Sequence, residues 1–154
     1  MRSINVPISP WEKRFFRLVS KVAFGSYRRI PLFGALRASV GVIRDGDLFL
    51  AIARNDDQGY SFPGGIALPW ENDEQVLTRE IHEETGMSVS HYEFVSRYFS
   101  SLEVPCNISV FRVQASGRMC DSWEGTPVWV GLPQLRGRIT RSQRHIVENL
   151  LNSL

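Results

Sequence analysis

Apolar and polar positions divide the chain into a helical opening and a series of strands interrupted by one charged helix. Trp11, Phe15, Leu18, Val19 and Val22 recur at i, i+4, i+7, i+8 and i+11, the apolar stripe of an amphipathic helix. Lys13, Arg14, Arg17 and Lys21 occupy the other side, and Pro10 after Ser9 suits a first turn. This spacing predicts a helix from Trp11 to about Phe24, followed by a linker from Gly25 to Leu36. Ala38 to Arg44 and Leu48 to Arg54 are apolar and partly β-branched, and Asp45-Gly46-Asp47 between them predicts a hairpin. A polar turn from Asn55 to Gly59 leads to a short strand, Tyr60 to Phe62. Val89 to Ser101, Ile108 to Ala115 and Pro127 to Gly131 read as further strands, joined by loops at Leu102 to Asn107 and Ser116 to Thr126. Leu132-Pro133 begins a turn. Ile146, Val147, Leu150, Leu151 and Leu154 predict a terminal helix over Thr140 to Leu151. Phe99, Phe111 and Trp129 are expected in the core.

The stretch Gly64 to Met87, GGIALPWENDEQVLTREIHEETGM, organises the rest. Asn72 is a good N-cap, Gln75 completes a capping box, and Gly86 can end the helix in a left-handed turn. Leu77 and Ile81 can pack on a sheet, while His82 faces solvent. Glu80, Glu83 and Glu84 stand at i, i+3 and i+4, within roughly 100° of arc on one helix face. Like charges at this spacing cost a few tenths of a kcal/mol per pair in an isolated helix, about enough to call for compensation. A hard divalent cation supplies it, since such ions take carboxylate, phosphate and water oxygens. Ahead of the helix, Pro63-Gly64-Gly65 lets the backbone approach a ligand or metal closely. A loop of little bulk facing three carboxylates suits a metal-bound polyphosphate; the alternative is a solvated acidic face that binds nothing.

The same run resembles the Nudix box, G-x5-E-x7-R-E-U-x-E-E-x-G-U, where U is bulky and apolar. Gly65, Glu71, Arg79, Glu80, Ile81, Glu83, Glu84, Gly86 and Met87 fill every fixed position. The resemblance implies an α/β fold, a Nudix-type α/β/α sandwich with a mixed central sheet. It implies divalent-metal-dependent hydrolysis of a pyrophosphate bond in a nucleoside diphosphate linked to another moiety. Glu80, Glu83 and Glu84 would hold Mg²⁺ or Mn²⁺, with a backbone carbonyl at the Gly64-Gly65 turn completing the shell. One of these glutamates, or an acid outside the box, would be the general base. Arg79 would pair with Glu71 and keep helix and loop in register. Substrate contacts would fall to Gly64, Gly65, Trp70 and Arg54. Trp70 could stack on a base or merely cap its loop, and Arg54 and Arg97 could reach phosphates or be surface charges. Glu103 and Glu124 are candidates for a further acid, against the alternative of solvated loop carboxylates. Two other functions fit the box less directly: an RNA 5′-pyrophosphohydrolase and a non-catalytic nucleotide-sensing module.

Composition refines this picture. A chain of 154 residues, 43% of them hydrophobic, supports one domain with a sizeable core. The net charge of +2 is unevenly spread, since residues 1–36 carry seven Lys and Arg against one acid. This predicts a basic N-terminal arm, 1–36, on a Nudix hydrolase domain, 37–154. Packing of the arm's helix on its own domain or on a second subunit, as in a homodimer, is favoured over contact with an anionic membrane or nucleic acid. Cys106 and Cys120 lack metal-ligand spacing, which argues against zinc. No apolar run of about 18 residues marks a transmembrane helix, and the basic residues of the first helix argue against a secretory signal. A cytoplasmic protein with a small nucleotide as substrate is expected.

Overall fold

The computed structural model describes residues 34–56, 59–102 and 104–152. The helix expected from Trp11 to Phe24 and the candidate acid Glu103 lie outside the described residues. In chain order the elements are β1 (Leu36–Asp45), β2 (Leu48–Arg54), β3 (Tyr60–Ser61), β4 (Gly64–Ile66), α1 (Asp73–Thr85), β5 (Ser88–Ser100), β6 (Cys106–Ser116), β7 (Gly125–Gly131), α2 (Leu132–Arg138), a 3₁₀ turn (Arg141–Gln143) and α3 (Arg144–Asn152).

β1 is the hub of the sheet. It runs parallel to β6 from Leu36 to Ile43, antiparallel to β4 at Ala38–Val40, and antiparallel to β2 at its far end. β5 pairs with the outer side of β6, and β3 and β7 flank β2. Six consecutive residues of β1, Ala38 to Ile43, are buried, the mark of a strand covered on both faces. On one face Val40, Val42, Phe49, Ala51 and Val110 share a core with Leu132, Leu135, Ile139, Ile146 and Val147 of the C-terminal helices and their connection. On the other, Ile43, Leu50, Phe111 and Val113 pack against Leu77 and Ile81 of α1. The result is the expected α/β/α sandwich around a mixed sheet.

α1 forms as its sequence predicts. Asn72 Oδ1 accepts from the Gln75 N–H at 2.8 Å, and Gln75 Oε1 accepts from the Asn72 N–H at 2.9 Å. Gly86 closes the helix at φ +75°, where glycine is favoured. The helix lies so close to the sheet that a Cβ on Gly41 would stand 2.8 Å from Ile81 Cδ1 and 3.2 Å from Leu77 Cδ1.

Three expectations change. Gly64–Ile66 is not loop but a strand on β1, because its backbone groups find partners there. Leu132-Pro133 opens α2 rather than a turn: Pro133 sits in the first turn, Gln134 Oε1 accepts from the Gly131 N–H at 3.0 Å, and Leu132 and Leu135 are buried. Seven residues with a glycine near the end carry too little periodicity to read as a helix. Phe99 is exposed, not core, because β5 is the outer strand and the helix layers leave it uncovered there.

Gly41→Val should destabilise the fold by about 1–3 kcal/mol through overpacking against α1. Urea unfolding would read this as a lower midpoint at unchanged slope.

Candidate active site

The site is built where β4, α1 and the loop before β7 meet. Glu71 is almost fully buried, and both its carboxylate oxygens receive Arg79: Nε donates to Oε1 at 2.6 Å and Nη2 to Oε2 at 2.8 Å. The Leu68 N–H donates to the same carboxylate at 2.8 Å. Arg79 reaches further, with Nη1 donating to Glu80 Oε1 at 2.7 Å and to Glu83 Oε2 at 3.2 Å, and Nη2 to the Ile66 carbonyl at 3.3 Å. One guanidinium therefore ties the box loop, β4 and two of the three helix glutamates together.

The three glutamates differ sharply in environment. Glu84 is 3% exposed and accepts from the Gly64 N–H at 2.8 Å. Glu80 lies against the backbone of Gly65, where an added Cβ would fall 2.3 Å from its Oε1. Any side chain at Gly65 would displace that carboxylate, which gives the box glycine its physical reason. Glu83 is largely exposed. A fourth carboxylate joins them. Glu124, from the loop before β7, stands close enough to Glu84 and Glu80 to act on both electrostatically, and its backbone carbonyl accepts from the Asn55 N–H at 2.9 Å.

The charges are correspondingly uneven. Burial holds the Glu84 carboxyl well above the usual carboxylate range, reinforced by Glu124 and Glu80 and opposed by the Gly64 N–H. Burial also raises Glu80, while Arg79 pulls it back. The Arg79 hydrogen bonds, with help from the Leu68 N–H, lower Glu71 to about 2. Arg79 is raised, chiefly by Glu71.

Of the residues expected from sequence, the structure brings together Gly64, Gly65, Glu71, Arg79, Glu80 and Glu84, with Glu83 at the exposed edge. Trp70 is 76% exposed beside Glu71, so it does not pack against the described residues. Arg54 donates twice to Asp56, at 3.0 and 2.8 Å, and pairs in register with Gly125, the residue after Glu124. Arg97 is engaged by Asp73 at 2.6 Å. Glu124 proves to be a neighbour of the cluster rather than a solvated loop acid. Arg37, whose Nη2 donates to the Glu71 carbonyl, had no signal in the sequence.

The donor chemistry fits a hard divalent cation. Glu80, Glu84 and Glu124 act electrostatically on one another, and all three offer oxygen. As they stand, no three acidic, histidine or cysteine side chains among the described residues converge on one point. Arg79 compensates Glu80, and the Gly64 N–H partly compensates Glu84. Binding of a cation would replace these two compensations.

Residues 35–150 match the model of the NUDIX domain. The chain belongs to the NUDIX domain family. Among curated relatives, a proposed 8-oxo-dGTP diphosphatase of Bacillus subtilis (strain 168), YtkD, is 38% identical over 47 residues. That match covers 30% of this Nudix chain and 30% of the relative's length. Among solved structures, the E. coli ORF135 protein superimposes with a TM-score of 0.68 at 19% identity, over 80% of this chain and 93% of that one. The MutT NUDIX hydrolase of Burkholderia pseudomallei gives 0.66 at 19% identity, over 74% and 96%. These likenesses carry the fold.

The raised Glu84 has a consequence for stability. A carboxyl whose folded pKa exceeds its unfolded value favours the folded state while protonated, and that contribution is lost as pH rises from about 4.5 through the folded value. Glutamine mimics the protonated form. Glu84→Gln should therefore be more stable than the parent at pH 8 in EDTA, with the difference shrinking towards pH 4.5. Urea unfolding across this range would show it. Glu71 acts in the opposite sense: its contribution is complete above pH 4.5 and fades as pH falls towards 2.

Proposed function

We propose that this Nudix domain hydrolyses, with a divalent metal, a pyrophosphate bond in a nucleoside diphosphate linked to another moiety. The observation that carries the reading is the set of mutually repelling carboxylates, Glu80, Glu84 and Glu124, gathered with the backbone of Gly64 and Gly65. A purely structural site has no use for a buried acid crowded by two half-buried ones. Glu80, Glu84 and Glu124 are the residues to hold Mg²⁺ or Mn²⁺, with Glu83 at the exposed edge where substrate and water arrive. A bound divalent ion supplies charge neutralisation on the phosphates and a water of lowered pKa. Arg79 and Glu71 fix the carboxylates in place, and positioning of this kind is a large part of catalysis in phosphoryl chemistry.

The substrate is a small nucleotide. Trp70, an exposed indole beside Glu71, offers a face for a base, and Arg54, paired in register with the residue after Glu124, is a candidate for phosphate contact. The name of the Bacillus subtilis relative puts 8-oxo-dGTP first among candidates. The seven basic residues of the arm favour one second reading, removal of pyrophosphate from RNA 5′ ends. No helix among the described residues is long and apolar enough to cross a membrane, and we place the protein in the cytoplasm.

Phosphate release with Mg²⁺ and with Mn²⁺, over 8-oxo-dGTP, ordinary nucleotides, ADP-ribose, dinucleoside polyphosphates and triphosphorylated RNA, tests the proposal. Turnover of one substrate class is expected. EDTA abolishes it, and Glu80→Gln and Glu84→Gln each lower kcat by at least about a hundredfold. Tight nucleotide binding with no turnover of any member would move the reading to a sensor.

A further inference from the structure

A polar network outside the box converges on the start of α1. The Asp73 carboxylate accepts from Arg97 Nη2 at 2.6 Å, from Ser109 Oγ at 2.7 Å and from Arg37 Nη1 at 3.3 Å. Its backbone carbonyl accepts from Ser39 Oγ at 2.7 Å, and Arg97 Nε donates to Ser109 Oγ at 2.9 Å. Ser39 and Ser109 are buried register partners on β1 and β6. The network therefore pins the first residue of α1 to the middle of the sheet. The helix start does not need it for capping, because Asn72 and Gln75 already satisfy each other's N–H groups.

Beyond Asp73 the two arginines hold different groups: Arg97 bonds Ser109 and lies over the Phe94 ring. Arg37 also donates Nη2 to the Glu71 carbonyl at 2.5 Å. Arg97 makes no such bond among the described residues.

We propose that Arg37 is a positioning residue for the carboxylate site. It acts through Glu71, whose backbone it ties to β1 while Arg79 ties the same residue's carboxylate to α1. Arg79 Nη1 then sets Glu80 Oε1 at 2.7 Å. Without Arg37, the Glu71 backbone keeps its N–H bond to the Leu68 carbonyl, a partner on the same loop, and loses its tie to the sheet. A shift of the Glu71 loop would pass to Arg79 and from there to Glu80. Groups that orient metal-holding side chains from behind are typically worth 10–100-fold in affinity, so about tenfold is expected at this remove. The inference rests on the metal reading above.

Arg37 and Arg97 provide their own control. Both hold Asp73 and both are about half exposed, with side-chain accessibilities of 47% and 57%. Either loss weakens the same anchor, but only Arg37 touches Glu71. The test is Mn²⁺ binding by the full chain without substrate, followed by the electron paramagnetic resonance of free Mn²⁺. Arg37→Gln should raise the Mn²⁺ Kd about tenfold and Arg97→Gln less than about twofold, with comparable falls in Tm. In turnover, Arg37→Gln should lower kcat and raise the metal concentration for half activation, leaving KM for the nucleotide near the parent value. Equal effects of the two substitutions on Mn²⁺ binding, or no effect of either, would overturn the proposal, since the network would then only staple the helix. A parent chain that binds no Mn²⁺ would instead overturn the metal reading, and this inference with it.

Discussion

Carboxylates drawn together beneath a helix and out of water cannot all keep their charge without compensation. Glu84 is buried, with the half-buried Glu80 and Glu124 acting on it, and much of the local structure answers this. Arg79 supplies a positive charge to Glu80. The Gly64 N–H supplies a dipole to Glu84, whose carboxyl is held above the usual range by burial and by the neighbouring Glu124. Arg79 is in turn held by Glu71, which accepts two of its nitrogens from a nearly buried position. Breaking such a pair leaves an uncompensated buried charge, which is why the partners must be present together. On the proposed reading, a bound divalent cation would do the same work.

The fold serves this arrangement by bringing backbone close. β4 pairs with β1 through Gly64 and Gly65, and neither has room for a side chain: a Cβ at Gly64 would meet the Ser39 carbonyl at 2.2 Å, and one at Gly65 would meet Glu80. The helix that presents the glutamates is fixed at both ends, by the Asn72–Gln75 box and by Gly86. Leu77 and Ile81 bury its apolar side on β1 and its neighbours. Rigid elements thus carry four of the site's side chains, while Glu124 arrives from a loop whose position is set by the pairing of β7 with β2.

Much of this was legible in the sequence because its causes are local. The capping box, the left-handed glycine and the i, i+3, i+4 glutamates depend only on neighbours a turn away. The mixed sandwich followed from the order of strands and helices together with the Nudix resemblance. What stayed hidden depends on tertiary placement. Nothing in a loop sequence tells that Glu124 folds back onto Glu84, or that Arg37 spans from β1 to the Glu71 carbonyl. Phe99 has the apolar character of a core residue, and only the edge position of β5 exposes it. α2 is hidden because so short a helix is specified by what Leu132 and Leu135 bury against, not by their spacing.

The most direct test of the account is calorimetric titration of Mn²⁺ into the protein at pH 7 in buffers of differing ionisation enthalpy. Burial raises the Glu84 carboxyl, so a cation that draws it into the ionised form should release protons, and the observed heat should then vary with the buffer. Glu84→Gln should bind more weakly and release fewer. Tight Mn²⁺ binding whose heat is the same in every buffer, or no binding at all, would contradict the account.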